Sequence, residues 1–529
     1  MTSIEQLYKD FGVLADAKDK AGEHEEAYLS ILNGVNGGSS EKRLASQFMA
    51  RFFKYFPQLS ERAIDAQLDL CEDEDVAIRK QAIKDLVTLC KSNPEHVPRI
   101  SDVLTQLLQS EDSNELSLVT SSLLNLFSFD AKGTFQGIFS QILNGEDTLR
   151  EKAIKFLQNK VKQIPEEIMT KEVEEFVLEE SKKVLVDVTG DEFLAFMQML
   201  SVLKCCQTVL GRQQLVELIT EQADMESVDG EFSSTDVDCV DKLLQCTKQG
   251  LPFFSKNVHS TKFVAYFCDK VLPKLSETAS PDDDDTDYRL ELVKVFAEMS
   301  TTCGDMENLS ERLEKLYDCL LEYMPLPPLT EDGENTPESE QPKLEFSYVE
   351  SLMFAFHQIA RKEPQFLTGE ENAERLKDFR LRLQYFARGI QVYIKQLRMA
   401  LQGKTGEALK TEESKLKVTA LKITNNINVL IKDLFHNPPS YKAVISLSWK
   451  PVQKAPTAIP TSPAGQKRGA QGDGDVAAKK SHSHTDRVLY HPPGGKFSEK
   501  AGTFTQNRGR GRGGFRGRGG RNRNWRGRY

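Results

Sequence analysis

This sequence predicts an all-α fold: an elongated solenoid of helical repeats followed by a disordered basic C-terminal tail. Three observations predict it. The first 200 residues read as helix after helix with short polar breaks, and strand alternation and hairpin signals are nearly absent. An octapeptide pattern, RxxAIKxL, occurs at Arg79–Leu86 and returns 71 positions later at Arg150–Leu157. A proline-free stretch from Arg375 to Leu401 carries apolar residues at 3-4 spacing (Leu376, Phe379, Leu383, Phe386, Ile390, Tyr393, Leu397 and Ala400), which marks one helical face.

The echoed octapeptide sets the repeat length. Between its copies, Val119–Leu126 keeps the step from small to large at Ser122-Leu123, and Lys42–Met49 keeps it more loosely around Ala45. Units of about 31–40 residues fall in the range of helical-hairpin solenoids. A helix pair cannot bury its apolar face alone. The small residue lets a neighbouring helix approach, and the large one fills the groove between them. Acidic residues precede several helices, as at Glu72-Asp73-Glu74-Asp75 and Glu146-Asp147, where carboxylates suit a helix N-terminus. Residues 1–205 are therefore expected to form HEAT-like repeats.

From residue 206 the breaks lengthen. Asp224–Asp238 is acidic, Pro281-Asp282-Asp283-Asp284-Asp285 is a repelling charge run, and Leu326–Pro342 is rich in proline and acid. These breaks point to a second, armadillo-like module over residues 206–440. It closes with a helix from about Thr411 to Phe435, which Asn437-Pro438-Pro439 terminates. Residues 441–529 are expected to be a tail, because beyond Trp449 the chain is mostly Pro, Gly, Ser, Lys and Arg and cannot bury enough apolar surface to offset its ordering entropy.

Charge separates the same regions. The net charge of −10 hides a tail from Lys450 onward with 18 basic against 4 acidic residues, a net +14. Residues 1–449 hold 51 basic against 75 acidic residues, a net −24. A basic tail on an acidic body suits nucleic acid, an acidic partner or a transport receptor. No run of about 18 apolar residues suggests a membrane span. The polar N-terminus Met1–Lys9 lacks the apolar core of a signal peptide. Nine scattered cysteines, including Cys71, Cys90, Cys246, Cys268 and Cys319 on apolar helical faces, read as reduced core thiols, and the absence of any CxxC pair argues against zinc.

Within the tail, Lys467-Arg468 and Lys479-Lys480 are spaced like the two basic clusters of a bipartite nuclear import signal, which implies an import carrier as partner. The last 22 residues combine nine arginines (Arg508, Arg510, Arg512, Arg516, Arg518, Arg521, Arg523, Arg526, Arg528), two RGG triplets and the aromatics Phe515, Trp525 and Tyr529. Arginine pairs with phosphate, the rings stack on bases and glycine keeps the chain adaptable, so this segment is expected to bind RNA with little sequence preference.

Enzyme-like signals fail. Gly403-Lys404-Thr405 resembles the end of a phosphate-binding loop, but Arg398 stands where that motif needs glycine and a helix precedes it where a strand is required. No catalytic constellation and no cofactor site are expected. The LxxLL pattern at Leu104–Leu108 reads as repeat core.

The stretch around Arg375–Leu401 carries the strongest interaction signal. Arg375, Lys377, Arg380, Arg382, Arg388, Lys395, Arg398 and Lys404 stand against Asp378 alone, and none of them falls on the apolar stripe. Tyr385, Val392 and Met399 are read as a second stripe beside the first. That width suits a helix packed on two neighbours, with a basic edge for partners, rather than the narrow seam of a two-stranded zipper.

The sequence also resembles the apoptosis inhibitor 5 family along nearly its whole length, most specifically in AQLDLCEDEDVAIRKQAIK (66–84), FSKNVHST (254–261), EYMPLPP (322–328), RLQYFARGIQVYIKQLRMALQGKTGEALKTEE (382–413) and ITNNINVLIKDLFHNPPSYK (423–442). The resemblance implies HEAT-like then armadillo-like repeats in a mainly nuclear, partly cytoplasmic, non-enzymatic monomer that suppresses programmed cell death. It implies Acinus, a fibroblast growth factor and a caspase as partners, with Acinus-driven DNA fragmentation restrained. The family's heptad segment would fall on Leu376, Leu383, Ile390 and Leu397, with isoleucine in place of one leucine, and its acetylated lysine on Lys256. The alternative is a nuclear RNA-associated adaptor that uses the RGG tail and the repeats in RNA processing or export.

Overall fold

Helix follows helix throughout the computed structural model, which describes residues 3–91, 93–225, 232–281, 286–327, 344–402 and 411–450. No strand occurs among the described residues. The helices stack in register as repeats. Ser39–Phe52 packs on Val76–Cys90, and Val76–Cys90 packs on Ser113–Leu126. Further along, Asp147–Lys160 packs on Gly190–Val202, followed in turn by Val237–Gly250, Tyr288–Ser300, Phe346–Ala360 and Glu412–Leu434. A second row includes Val97–Gln106, Ala131–Asn144 and Lys171–Leu185. These contacts place residues 3–450 in one compact unit. The 205/206 junction expected between modules falls inside the short helix Lys204–Gln207.

The small-large step does what its chemistry requires. Ala45, Ala82, Ser122 and Ala153 are all buried, and so are Met49, Ile83, Leu123 and Ile154. Asp75 caps Val76–Cys90 by accepting from Ala77 N at 2.8 Å, whereas Glu146 makes no side-chain cap. Leu104 and Leu108 of the LxxLL pattern are core residues.

Both arginines of the echoed octapeptide hold the stack together. Arg79 grips Glu115 of the next row helix with Nε and Nη2 (2.9 and 3.0 Å), while its Nη1 donates to the Asp73 and Glu74 carbonyls. Arg150 repeats this on Glu192 (2.8 and 3.2 Å) and on the carbonyls of Ile142 and Asp187. Arg312 makes a related clamp, through Nε to Asp269 at 2.9 Å and through Nη1 to the Glu307 carbonyl. A planar guanidinium that engages a carboxylate with two N–H groups and still reaches loop carbonyls sets both the distance and the rotation of neighbouring repeats.

Gly137 marks a close helix crossing. A Cβ there would lie 2.4 Å from the Pro98 carbonyl oxygen and 2.5 Å from Asp102 N, so Ala131–Asn144 meets Val97–Gln106 backbone to backbone. Gly137→Val is expected to cost about 1–3 kcal/mol through overpacking, read as a lowered urea midpoint with an unchanged denaturant slope.

Candidate partner-binding site

The stretch singled out by its periodicity forms a single helix of 29 residues, Ala373–Leu401, paired with Glu412–Leu434. Its buried face consists of Phe379, Leu383, Phe386, Ile390, Ile394 and Leu397, with Leu376 half-buried at the end. Aromatic contacts fasten it to two earlier helices. Phe379 meets Tyr317 and Phe356 (centroids 5.4 and 5.8 Å apart), and Phe346 meets Phe386 and Tyr393 (5.9 and 5.0 Å). The heptad positions Leu376, Leu383, Ile390 and Leu397 therefore pack inside the repeats.

The expected second stripe does not pack. Val392 and Met399 are 59% and 65% exposed, Tyr385 is only half-buried, and Ala400 is exposed as well. The reason is angular. Val392 and Met399 each lie two residues beyond a buried heptad residue, which is about 200° around a helix of 3.6 residues per turn. The width of the buried face comes from Phe379, Phe386 and Ile394 instead.

The basic edge separates into two groups. Arg375 pairs with Glu314 at 2.7 Å and lies over the Phe366 ring. Arg380 donates to the His436 carbonyl and Asn437 Oδ1. Arg382 pairs with Asp378 at 2.8 Å and donates to the Met324 carbonyl at 2.6 Å. These three bind the helix to its own fold. Lys377, Arg388, Lys395 and Arg398 are exposed and have no ion-pair partner among the described residues. Lys377, Arg388 and Lys395, spaced by 11 and 7, fall on one line of the helix surface. Lys404 lies outside the described residues.

Beside that line runs a groove between the two long helices. A cavity of about 650 Å³ is lined by Gln391, Ile394, Lys395, Arg398, Met399, Leu401, Gln402, Leu421, Asn425 and Asn428. It shares Gln391 and Asn428 with a second cavity, of about 540 Å³, that extends past Ala387 and Gln384 to Lys432, Phe435 and His436. Among the described residues no carboxylate lines either part. Lys395, Arg398 and Lys432 supply the charge, while Met399 and the half-exposed Phe435 supply apolar contact at its edges. Such a surface suits an acidic amphipathic helix laid into a groove.

The chain after the last helix supports this pair from behind. Residues 441–450, which composition assigns to the tail, run without helix or strand across the stack. Lys422 Nζ donates to the carbonyls of Leu447, Ser448 and Lys450, each at 2.9 Å. Buried Glu350 accepts from Asn426 and Ser448 N, and burial raises its carboxyl above the usual range. Asp433 accepts from His357 at 2.8 Å and from the N–H groups of Lys442 and Ala443. Burial opposes its charge, but these donors win and hold it below the ordinary carboxylate value. Trp449 Nε1 donates to Glu298 at 2.6 Å, and Lys450 pairs with the other Glu298 oxygen. Sequence reasoning missed this strap, because its anchors are single polar residues up to 151 positions apart.

Lys256 is exposed in the turn before helix Thr261–Tyr266, where its carbonyl bonds His259 Nε2. The import clusters Lys467-Arg468 and Lys479-Lys480, and the arginine-aromatic segment from Arg508 to Tyr529, lie outside the described residues.

The model of the family described as apoptosis inhibitory protein 5 matches residues 4–529. The chain belongs to that family. Apoptosis inhibitor 5 of Gallus gallus is 60% identical over 533 residues, covering 100% of this chain and 98% of the relative. Apoptosis inhibitor 5 of Homo sapiens is 59% identical over 527 residues, covering 98% and 97%. The apoptosis inhibitor 5 homolog of Drosophila melanogaster is 47% identical over 509 residues, covering 94% of each chain. The helical-repeat body thus belongs to an apoptosis-inhibitor family, and the groove is a feature of that body.

Proposed function

We propose that the chain is a nuclear, non-enzymatic scaffold that restrains apoptosis by covering partner surfaces, with Acinus held so that its DNA-fragmenting activity is suppressed. The supporting observation is the groove between Ala373–Leu401 and Glu412–Leu434: among the described residues it is lined by Lys395, Arg398 and Lys432 and by no carboxylate, and exposed Met399 and Phe435 lie in its lining. On an acidic body this is where an acidic partner helix gains both charge and apolar contact. The triple reversal Arg388→Glu, Lys395→Glu and Arg398→Glu is expected to weaken a purified acidic Acinus segment by about tenfold or more in calorimetry, while the melting temperature holds. Unchanged affinity would remove the groove from the mechanism. Arg382→Glu serves as the contrast, since it breaks interior bonds and lowers stability first.

A second reading, an RNA-associated adaptor, draws on the arginine-aromatic segment at residues 508–529. Deleting residues 455–529 keeps the strap and its Lys450–Glu298 pair, and so separates the two. RNA association lost with partner binding retained favours the scaffold; loss of both favours the adaptor.

A further inference from the structure

We propose that Cys205 and Cys206 are a modification site: a vicinal dithiol that a peroxide oxidises reversibly to an intraresidue-pair disulfide. The two Sγ atoms already lie 3.7 Å apart. Cys205 is half-buried and open to a small oxidant, whereas Cys206 is 1% exposed beneath it. An accessible thiol backed by a sheltered one is the order needed for attack followed by resolution.

The pair sits in a short helical turn of its own. Lys204–Gln207 is a helix of four residues, set off by the extended residues Leu203 and Thr208. It is held from one side by Glu174, which accepts from Lys204 N (3.1 Å) and Cys205 N (2.8 Å), and from the other by Thr208 Oγ1, which donates to the Cys205 carbonyl. Closing the ring therefore requires one short turn to change, where Gly211 lets helix Val209–Gln222 approach the Cys205 carbonyl and the Cys206 Cα, and not a long helix to bend. Donation from the Cys206 thiol lowers the Cys205 thiol below its ordinary value, against burial and the nearby Glu174 carboxylate. The proton of Cys206 is held more tightly in return. Cys71, Cys246 and Cys268 differ: burial pushes each of them up, Cys246 to about 12.

The chemistry balances. The Cys205 thiolate attacks one peroxide oxygen, the O–O bond breaks, hydroxide leaves and Cys205 becomes a sulfenic acid. The Cys206 sulfur then attacks the Cys205 sulfur, the S–O bond breaks, and the departing oxygen takes the Cys206 proton as water. Two thiols lose two electrons and one peroxide gains them. An external thiol reverses the step by exchange. Adjacent residues hold their Cα atoms about 3.8 Å apart, closer than in most disulfides, which suits a labile switch rather than a permanent staple.

The test is a hydrogen peroxide titration of the full chain, read by intact mass and peptide mapping. The expected result is a loss of two hydrogens confined to the peptide holding Cys205 and Cys206, regained with a dithiol reductant, while Cys71, Cys246 and Cys268 stay unmodified. Cys206→Ser is expected to convert that loss into a dimedone-trapped sulfenic acid at Cys205, and Cys205→Ser to abolish both. Wild-type protein that accumulates trapped sulfenic acid at Cys205 with no two-hydrogen loss overturns the proposal. So does oxidation spread evenly over the buried cysteines. The wild-type measurement alone decides the matter if Cys206→Ser folds poorly.

Discussion

Phe379→Ala is expected to destabilise the chain by about 3–5 kcal/mol, the largest loss expected from any single side chain of the long helix. The ring is fully buried and meets Tyr317 and Phe356, so its removal leaves a cavity where three helices converge. Neighbouring aromatics cannot collapse into that space without breaking their own edge contacts. Urea unfolding followed by circular dichroism reads the effect. Leu383→Ala and Ile390→Ala, both fully buried, are expected to cost about 2–5 kcal/mol each. A stability change within about 0.5 kcal/mol for these three would contradict the core assignment and restore the zipper reading. Partner binding lost in heptad variants therefore reports unfolding unless stability is measured beside it.

Breaking the repeat clamp is the second large effect. Arg79→Ala is expected to cost about 3 kcal/mol at neutral pH, because Glu115, only 2% exposed, is left charged and unpaired. Removing both partners is expected to cost less than the two single losses added together. The pair also sets a pH dependence. Hydrogen bonds from Arg79 hold the Glu115 carboxyl below its ordinary value. At Glu192 burial pushes upward, but Arg150 and the Thr189 N–H outweigh it, with the same result. A carboxyl depressed in the folded state stabilises the fold above its unfolded pKa of about 4.3, and that stability is lost as pH falls through the lower folded value. The gap between wild type and Arg79→Ala should therefore be full at neutral pH and narrow as pH falls, first through the value that burial raises for the unpaired Glu115 of the variant and then down to the lower wild-type value. A gap independent of pH would show that Arg79 acts by packing alone.

Periodicity revealed the long helix and its buried row, since a 3-4 spacing is a local property that any folded context has to respect. The echo at Arg79 and Arg150 was legible as a repeat, but the partners of those arginines were not, because Glu115 and Glu192 lie 36 and 42 residues away with no shared local pattern. The basic edge was legible as a list of charges. Its division into Arg375, Arg380 and Arg382, which bind inward, and Lys377, Arg388, Lys395 and Arg398, which face outward, depends on which carbonyls and carboxylates neighbouring helices bring near.

By itself the sequence determined the helical character, the repeat step and the main apolar row of the long helix, because helix propensity and apolar spacing act over a few residues. It also carried the family, through long runs of matching residues. Only the tertiary structure decided that Val392 and Met399 remain at the surface, that Ile394 joins the buried face, and that a groove with no carboxylate among its described residues opens beside the outward cations. A helix can bury only the side on which a neighbour exists, and the neighbours here are placed by contacts between residues tens of positions apart.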